Sequence, residues 1–245
     1  MVPYIDKKLL DTRKLLDTRW LFISDLHLGN GKKGADDFLY DAKGKFYKGQ
    51  DEKLIKWVES FNADRVIVMG DAFELWQFKM DAIRKAHPKI CKLIESGKWE
   101  RYKGNHDYEL IGKDRITFTT ETGLRCLAMH GHQNDKWMGN PFIRGLVCFV
   151  GKIEPIIPGL DNPDVFIKHS NSADKKTRKL AEDKCKKYDI YIDGHTHKQL
   201  AETYTITRRG GTVKAQRFNC GTCQHGKLQG TLVNLTTGIG QLVGG

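Results

Sequence analysis

Apolar and polar positions alternate along this chain in two rhythms. Short uninterrupted apolar runs, Trp20–Ile23 and Arg65–Met69, read as strands buried on both faces. Residues 51–61 carry Leu54, Ile55, Trp57, Val58 and Phe61 at helical spacing. Residues 80–96 repeat that spacing with Ile83, Ala86, Ile90, Leu93 and Ile94, and Pro88 is expected to kink the helix. A more charged strand is expected at 99–103. Residues 115–120 and 124–129 are expected to pair around Glu121-Thr122-Gly123. A further strand falls at 188–192, and four antiparallel strands near 199–207, 212–219, 228–235 and 239–243.

The alternation of helices and buried strands predicts an α/β sandwich forming one domain over 1–245. The tract 136–188 breaks the rhythm. It holds an apolar segment from Phe142 to Ile153, then a turn with Pro155, Pro158, Gly159 and Pro163, then a strongly basic helix near 171–187. It reads as a helical insertion. Residues 29–50, rich in Gly, Lys and Asp, read as a solvated loop, because Asp36, Asp37 and Asp41 lack calcium-loop spacing. Leu-Leu-Asp-Thr-Arg occurs twice, at 9–13 and 15–19, as a lead-in rather than a solenoid repeat.

Polar clusters follow the apolar runs. Asp25 and His27 lie just past the first run, where extended alternation would point both to one side. Gly70-Asp71 follows the second strand, Gly104-Asn105-His106-Asp107 the third, His130-Gly131-His132 the strand at 124–129, and His195-Thr196-His197 the strand at 188–192. Singly, each has an ordinary structural reading as a turn, a helix cap or a packed histidine. Together they supply Asp25, His27, Asp71, Asn105, His130, His195 and His197 at strand ends, where sites collect in open α/β sheets. Carboxylate, amide and imidazole ligands suit divalent manganese, iron or zinc. Seven ligands exceed one tetrahedral site and suit two ions sharing a carboxylate. Such a pair clamps the attacking and leaving oxygens of a phosphoryl displacement and acidifies a bound water to make the nucleophile.

Charge and cysteines refine this only slightly. Forty-one Lys and Arg against 30 Asp and Glu give +11, which favours anionic partners: phosphorylated substrates, nucleic acid or an anionic membrane face. Nothing approaches a membrane-spanning run, and the charged first twenty residues do not make a secretory signal, so a cytoplasmic protein is expected, in peripheral contact at most with the inner membrane. Of six cysteines only Cys220 and Cys223 are closely spaced, and buried thiols are the default reading.

The ordered set Asp25-x-His27, Gly70-Asp71, Gly104-Asn105-His106-Asp107, His130 and Gly194-His195-x-His197 resembles the calcineurin-like metallophosphoesterase family. The resemblance implies a four-layer αββα sandwich of two mixed sheets and two divalent ions, manganese being the leading expectation. It places Asp25, His27, Asp71 and His197 on one ion, and Asp71, Asn105, His130 and His195 on the other. It makes His106 the phosphate-contacting residue and a candidate general acid, with Asp107 orienting its ring; Asn105 and His106 are candidate substrate contacts, and His132 is either an extra phosphate contact or a partner of the ligands. Gly70-Asp71-Ala72-Phe73-Glu74-Leu75-Trp76 and the insertion look like the UDP-2,3-diacylglucosamine pyrophosphatase branch. The insertion would then be a lid over acyl chains. That branch usually carries Arg at the place of His106 and Asp at the place of His132. The alternatives are a general phosphodiesterase, phosphatase or nuclease acting on nucleotides or nucleic acid, and a non-catalytic metal-binding scaffold, against which the filled ligand set argues.

Overall fold

The computed structural model describes residues 17–134 and 178–245. Among the described residues, ten strands form two five-stranded mixed sheets. The first has the order β10-β9-β1-β2-β3, with β1 at Arg19–Ile23, β2 at Arg65–Met69, β3 at Trp99–Tyr102, β9 at Gln229–Asn234 and β10 at Ile239–Gly244. The second has the order β4-β5-β6-β8-β7, with β4 at Arg115–Thr119, β5 at Arg125–Met129, β6 at Ile190–Asp193, β7 at Leu200–Arg208 and β8 at Gly211–Asn219. Helices α1 (Gln50–Glu59), α2 (Met80–Ala86) and α3 (Pro88–Glu95) precede β3, and α4 covers 178–185.

Strand alternation explains the layering. In β1, Leu21 and Ile23 face one way and join Leu54, Val58, Ile90 and Ile94 of the helices. Phe22, between them, faces the other sheet and packs with Cys126, Ala128, Ile190, Ile192 and Phe218. In the second sheet, Leu127, Met129 and Tyr191 turn outward onto Ala181 and Cys185 of α4. The three buried clusters are therefore the three interfaces of an αββα sandwich, each held by apolar burial worth about 1.5–3 kcal/mol per large side chain. The expected architecture is present. The C-terminal part of the basic segment, α4, supplies the fourth layer, and the rest of the predicted insertion, like residues 1–16, lies outside the described residues.

Two local expectations are corrected. Pro88 ends one helix and begins another rather than kinking a single one. His87 adopts φ −124°, ψ 55°, and Pro88 sits in the first turn of α3. The ring cannot donate to the preceding turn and forces its predecessor out of helical geometry. Asp36 is not solvated. It is buried, accepts the N–H groups of Gly31 (2.8 Å) and Leu39 (3.1 Å), and meets His87 Nε2 at 2.8 Å. Asp51 takes Nδ1 of the same ring at 2.9 Å. Burial disfavours the imidazolium, but the two carboxylates outweigh it and raise the pKa of His87 to about 9. This buried bridge pins the loop after His27 to α1 and α3.

Each sheet has a parallel triplet, β1-β2-β3 in one and β5-β6-β8 in the other. The polar clusters leave the carboxyl ends of these strands, and the sheet pairing brings them to one edge of the sandwich.

Candidate metal centre

The first two predicted ligands do not converge by strand alternation. Asp25 and His27 lie beyond the end of β1 and adopt φ 54° and 47°. Their amides reach across to the turn after β2: Asp25 N–H donates to Gly70 O at 3.2 Å and His27 N–H to Asp71 O at 2.9 Å. Asp71, His195 and His197 are also left-handed, at 50°, 69° and 56°. So five of the seven predicted ligands occupy a region that costs non-glycine residues about 1–3 kcal/mol each. Sequence pattern does not reveal such conformations.

These turns bring all seven side chains together. Asp25, His27 and His197 form one group with ligand atoms within 4.8 Å of each other, and Asp71, His130 and His195 form another. Asn105 Oδ1 lies 3.2 Å from His130 Nε2. Asp71 reaches both sides: it groups with His27 and His106 as well. Close backbone approach is required here. A Cβ on Gly104 would lie 2.0 Å from Asp71 Oδ1, and one on Gly194 2.7 Å from Asp25 Oδ2.

The residues present fit a pair of divalent cations. His130 Nδ1 faces the carbonyl of Met69 at 2.9 Å, so it donates there. A neutral His130 then turns the lone pair of Nε2 towards Asp71 Oδ2 at 3.0 Å and Asn105 Oδ1, where acceptor would face acceptor. His27 Nδ1 likewise donates to Glu74 Oε2 at 2.9 Å, and its buried Nε2 has no hydrogen-bond partner. Asp25 Oδ1 is also buried without one, while Oδ2 is satisfied by Ser24 Oγ at 2.5 Å and the His195 N–H at 2.9 Å. A cation resolves every one of these conflicts. The surrounding carboxylates hold His27 and His130 towards the protonated form. Burial works against that, yet Asp71 and Asp25 raise the pKa of His130 to about 9. Burial likewise opposes ionisation of Asp25 and Asp71, but His130 and the neighbouring imidazoles hold both carboxyls well below the usual range.

His106 is oriented by a residue to which sequence reasoning assigned no role. Its Nδ1 meets Glu74 Oε1 at 2.8 Å and its backbone N–H donates to Asp71 Oδ1 at 2.8 Å. Trp76 stacks on the ring at 3.6 Å between centroids and donates its indole N–H to Asn105 O at 2.8 Å. Glu74 therefore serves His27 and His106 with one carboxylate. Burial raises its pKa, but His106 and His27 outweigh burial and lower it to about 2. The expected role of Asp107 is corrected. Its carboxylate accepts the N–H groups of Ala72 (3.0 Å) and Gly104 (2.7 Å) and faces Arg101 at 3.4 Å. It ties the second and third turns together instead of orienting His106. Burial raises its pKa, with Arg101 in opposition. His132, expected as an extra phosphate contact or as a partner of the ligands, is 2% exposed and packs its ring against those of His130 and Tyr108. The spacing Asp71-x-x-Glu74, one turn of chain past a predicted ligand, was the available signal for Glu74.

Cys220 and Cys223 are buried free thiols, as are Cys91, Cys126 and Cys185. Burial raises the thiol pKa of Cys223 to about 12, which removes it from thiolate chemistry at neutral pH. Among the described residues, no helix is long and apolar enough to cross a membrane.

A family model described as calcineurin-like phosphoesterase matches residues 18–199. No curated protein matches the chain in sequence. Three solved structures illustrate the similarity found. A conserved protein from Streptococcus pneumoniae, described as a predicted phosphoesterase, is 13% identical, with 94% of this chain and 98% of that chain covered and a TM-score of 0.41. A dimetal phosphatase from Danio rerio is 11% identical, with 93% and 95% covered and a TM-score of 0.49. A metallophosphoesterase from Sphaerobacter thermophilus is 11% identical, with 93% and 88% covered and a TM-score of 0.43.

Proposed function

The chain belongs to the calcineurin-like phosphoesterase family and is a metal-dependent phosphoester hydrolase; from that premise we propose that it uses two ions, held by Asp25, His27, Asp71 and His197 and by Asp71, Asn105, His130 and His195, to cleave a phosphodiester or diphosphate. When bound, the ions supply Lewis-acid stabilisation of the phosphoryl oxygens and an acidified water, with manganese the first candidate. The chain does the rest. Glu74 and Met69 O accept the Nδ1 protons of His27 and His130 and aim both Nε2 lone pairs inward. Glu74 also accepts the Nδ1 proton of His106, which leaves His106 Nε2 to hold a proton and deliver it to the leaving oxygen.

The observation that carries this reading is the shared Glu74 carboxylate. One side chain ties a metal ligand to the proton donor, so both are set in the same frame.

The same observation bears on substrate. The Glu74 and Trp76 that suggest the UDP-2,3-diacylglucosamine branch both act here on His106, where that branch usually has Arg. Hydrolysis of a lipid-linked diphosphate is the finer reading, supported by the length and apolar content of the tract 136–188, and would go with peripheral contact with an anionic membrane. Cleavage of nucleotide or nucleic-acid phosphodiesters is the second reading, favoured by His106 and the +11 charge. Purified protein with manganese should be offered bis(p-nitrophenyl) phosphate, UDP-2,3-diacylglucosamine and single-stranded DNA. Turnover of the aryl diester and the UDP lipid supports the diphosphate reading. Turnover of DNA without the UDP lipid sinks it, and turnover of none sinks the hydrolase.

A further inference from the structure

Asn219-Cys220-Gly221-Thr222-Cys223 leaves the end of β8 and contributes no predicted ligand, yet it touches both ligand-bearing turns of the first ion. On one side, the Asn219 amide Nδ2 donates to Asp193 Oδ1 at 2.8 Å, to Gly194 O at 2.7 Å and to Thr196 Oγ1 at 3.2 Å, spanning the turn that carries His195 and His197. Cys220 N–H donates to Asp193 O at 2.8 Å. On the other side, Thr222 Oγ1 donates to the carbonyl of Asp25 at 2.9 Å, and Cys223 N–H donates to the same oxygen at 3.3 Å. Ser24 Oγ reaches both Gly221 O at 3.3 Å and Asp25 Oδ2. The two halves are one unit, because Asn219 Oδ1 accepts the Gly221 N–H at 3.0 Å. Asn219 and Ser24 are fully buried and Thr222 nearly so, so these bonds do not exchange with water.

Asp25 and His197 are left-handed residues, and such strain persists only where surrounding bonds over-determine it. We infer that the segment Asn219–Thr222 is a clamp that fixes the distance between Asp25 and His197, and that Asn219 and Thr222 are positioning residues for the ion those two hold. This rests on the proposed ligand set. It also gives the Cys-x-x-Cys spacing a meaning without thiol chemistry. The cysteines serve through their backbone N–H groups, and their side chains fill buried space on either side of the clamp.

The test uses the full chain and manganese alone. Thr222→Val keeps shape and removes the hydroxyl; Thr222→Ser keeps the hydroxyl; Asp25→Asn is the ligand control. Manganese affinity is measured by isothermal titration, metal-free thermal midpoint by circular dichroism, and kcat and KM at saturating manganese. Thr222→Val should lose about 10-fold in manganese affinity, the lower end of losses seen for residues behind metal ligands. Its KM should stay near wild type. Its metal-free midpoint should fall by a few degrees, because the Asp25 carbonyl and the Gln224 N–H, which Thr222 Oγ1 accepts at 3.1 Å, both lose a buried partner. Thr222→Ser should restore both the midpoint and manganese affinity. The clamp is overturned by wild-type affinity in Thr222→Val. An affinity loss that accompanies a fall in the metal-free midpoint and is not restored in Thr222→Ser overturns it as well. Asn219→Ala removes the donor at the centre without adding a charge beside Asp193 and should show the same loss, which separates the clamp from a local effect at Thr222; wild-type manganese affinity in Asn219→Ala overturns the clamp. If Asp25→Asn binds manganese as wild type, the ligand set itself is wrong. If it loses the metal while Thr222→Val does not, only the clamp is wrong.

Discussion

Replacing Glu74 with Gln separates its two tasks with the least change of shape. The carboxylate has two oxygens and takes two imidazole N–H donors, from His27 at 2.9 Å and His106 at 2.8 Å. A glutamine amide has one acceptor oxygen, and its NH2 would oppose the second N–H. At least one charge-assisted bond is lost, worth about 1.5–3 kcal/mol. If that bond matters in the transition state, kcat falls roughly 10- to 150-fold at about 1.36 kcal/mol per decade. Loss of the bond to His106 leaves the ligand geometry of His27 intact, so kcat falls with little change in KM or metal content. Loss of the bond to His27 lowers manganese affinity instead, and added metal restores part of the rate. Steady-state kinetics on an aryl phosphodiester across a manganese series, with metal content measured in parallel, distinguishes these cases. Wild-type kcat and wild-type metal content in Glu74→Gln would refute the assignment of Glu74.

Three other outcomes follow from the same geometry. His106→Ala should lower kcat by roughly 10²–10⁴ while metal content is retained; metal loss would make His106 a ligand, which its grouping with His27 and Asp71 would then explain. Gly104→Ala should abolish manganese binding, since its Cβ would occupy space 2.0 Å from Asp71 Oδ1 and 2.2 Å from the Asp71 amide nitrogen; titration showing wild-type affinity would mean the turn can shift. His87 has its pKa raised from 6.5 to about 9, so its contribution to stability is fully present below 6.5 and is lost as pH rises through about 9. That contribution is at most about 3 kcal/mol, and urea titrations between pH 6 and 10 should show a loss of stability that His87→Gln lacks. Equal pH dependence in the two proteins would rule out the Asp36–His87–Asp51 bridge as its source.

The strand-end clusters were legible because carboxylates and imidazoles following apolar runs are a pattern of residue type and order. That order names the seven candidate ligands, while the two sheets and the sharing of Asp71 are what the family resemblance implies; the structure has two sheets and gathers the seven side chains at one site. Strand alternation is not what brings Asp25 and His27 together. They meet through left-handed turns stitched to the backbone of Gly70 and Asp71, and backbone hand leaves no mark in a pattern of polar residues. The family resemblance gives Asp107 to His106, whereas in the structure Glu74 reaches His106 across 32 residues. Asp36 reads as solvated because one aspartate among three in a Gly- and Lys-rich loop gives no hint of a buried histidine 51 residues away. The clamp at Asn219–Thr222 was hidden for the same reason: its residues act through backbone groups of other turns. Side chains that bind ions announce themselves by type; those that hold the binders in place do so only by contact.

The central claim is a pair of ions sharing Asp71. Metal analysis of wild type and Asp71→Ala, with hydrolysis of a phosphodiester followed in the same samples, tests it directly. The account predicts about two ions per wild-type chain and loss of bound metal together with hydrolysis in Asp71→Ala. An Asp71→Ala protein that keeps both ions and hydrolyses at the wild-type rate would contradict it.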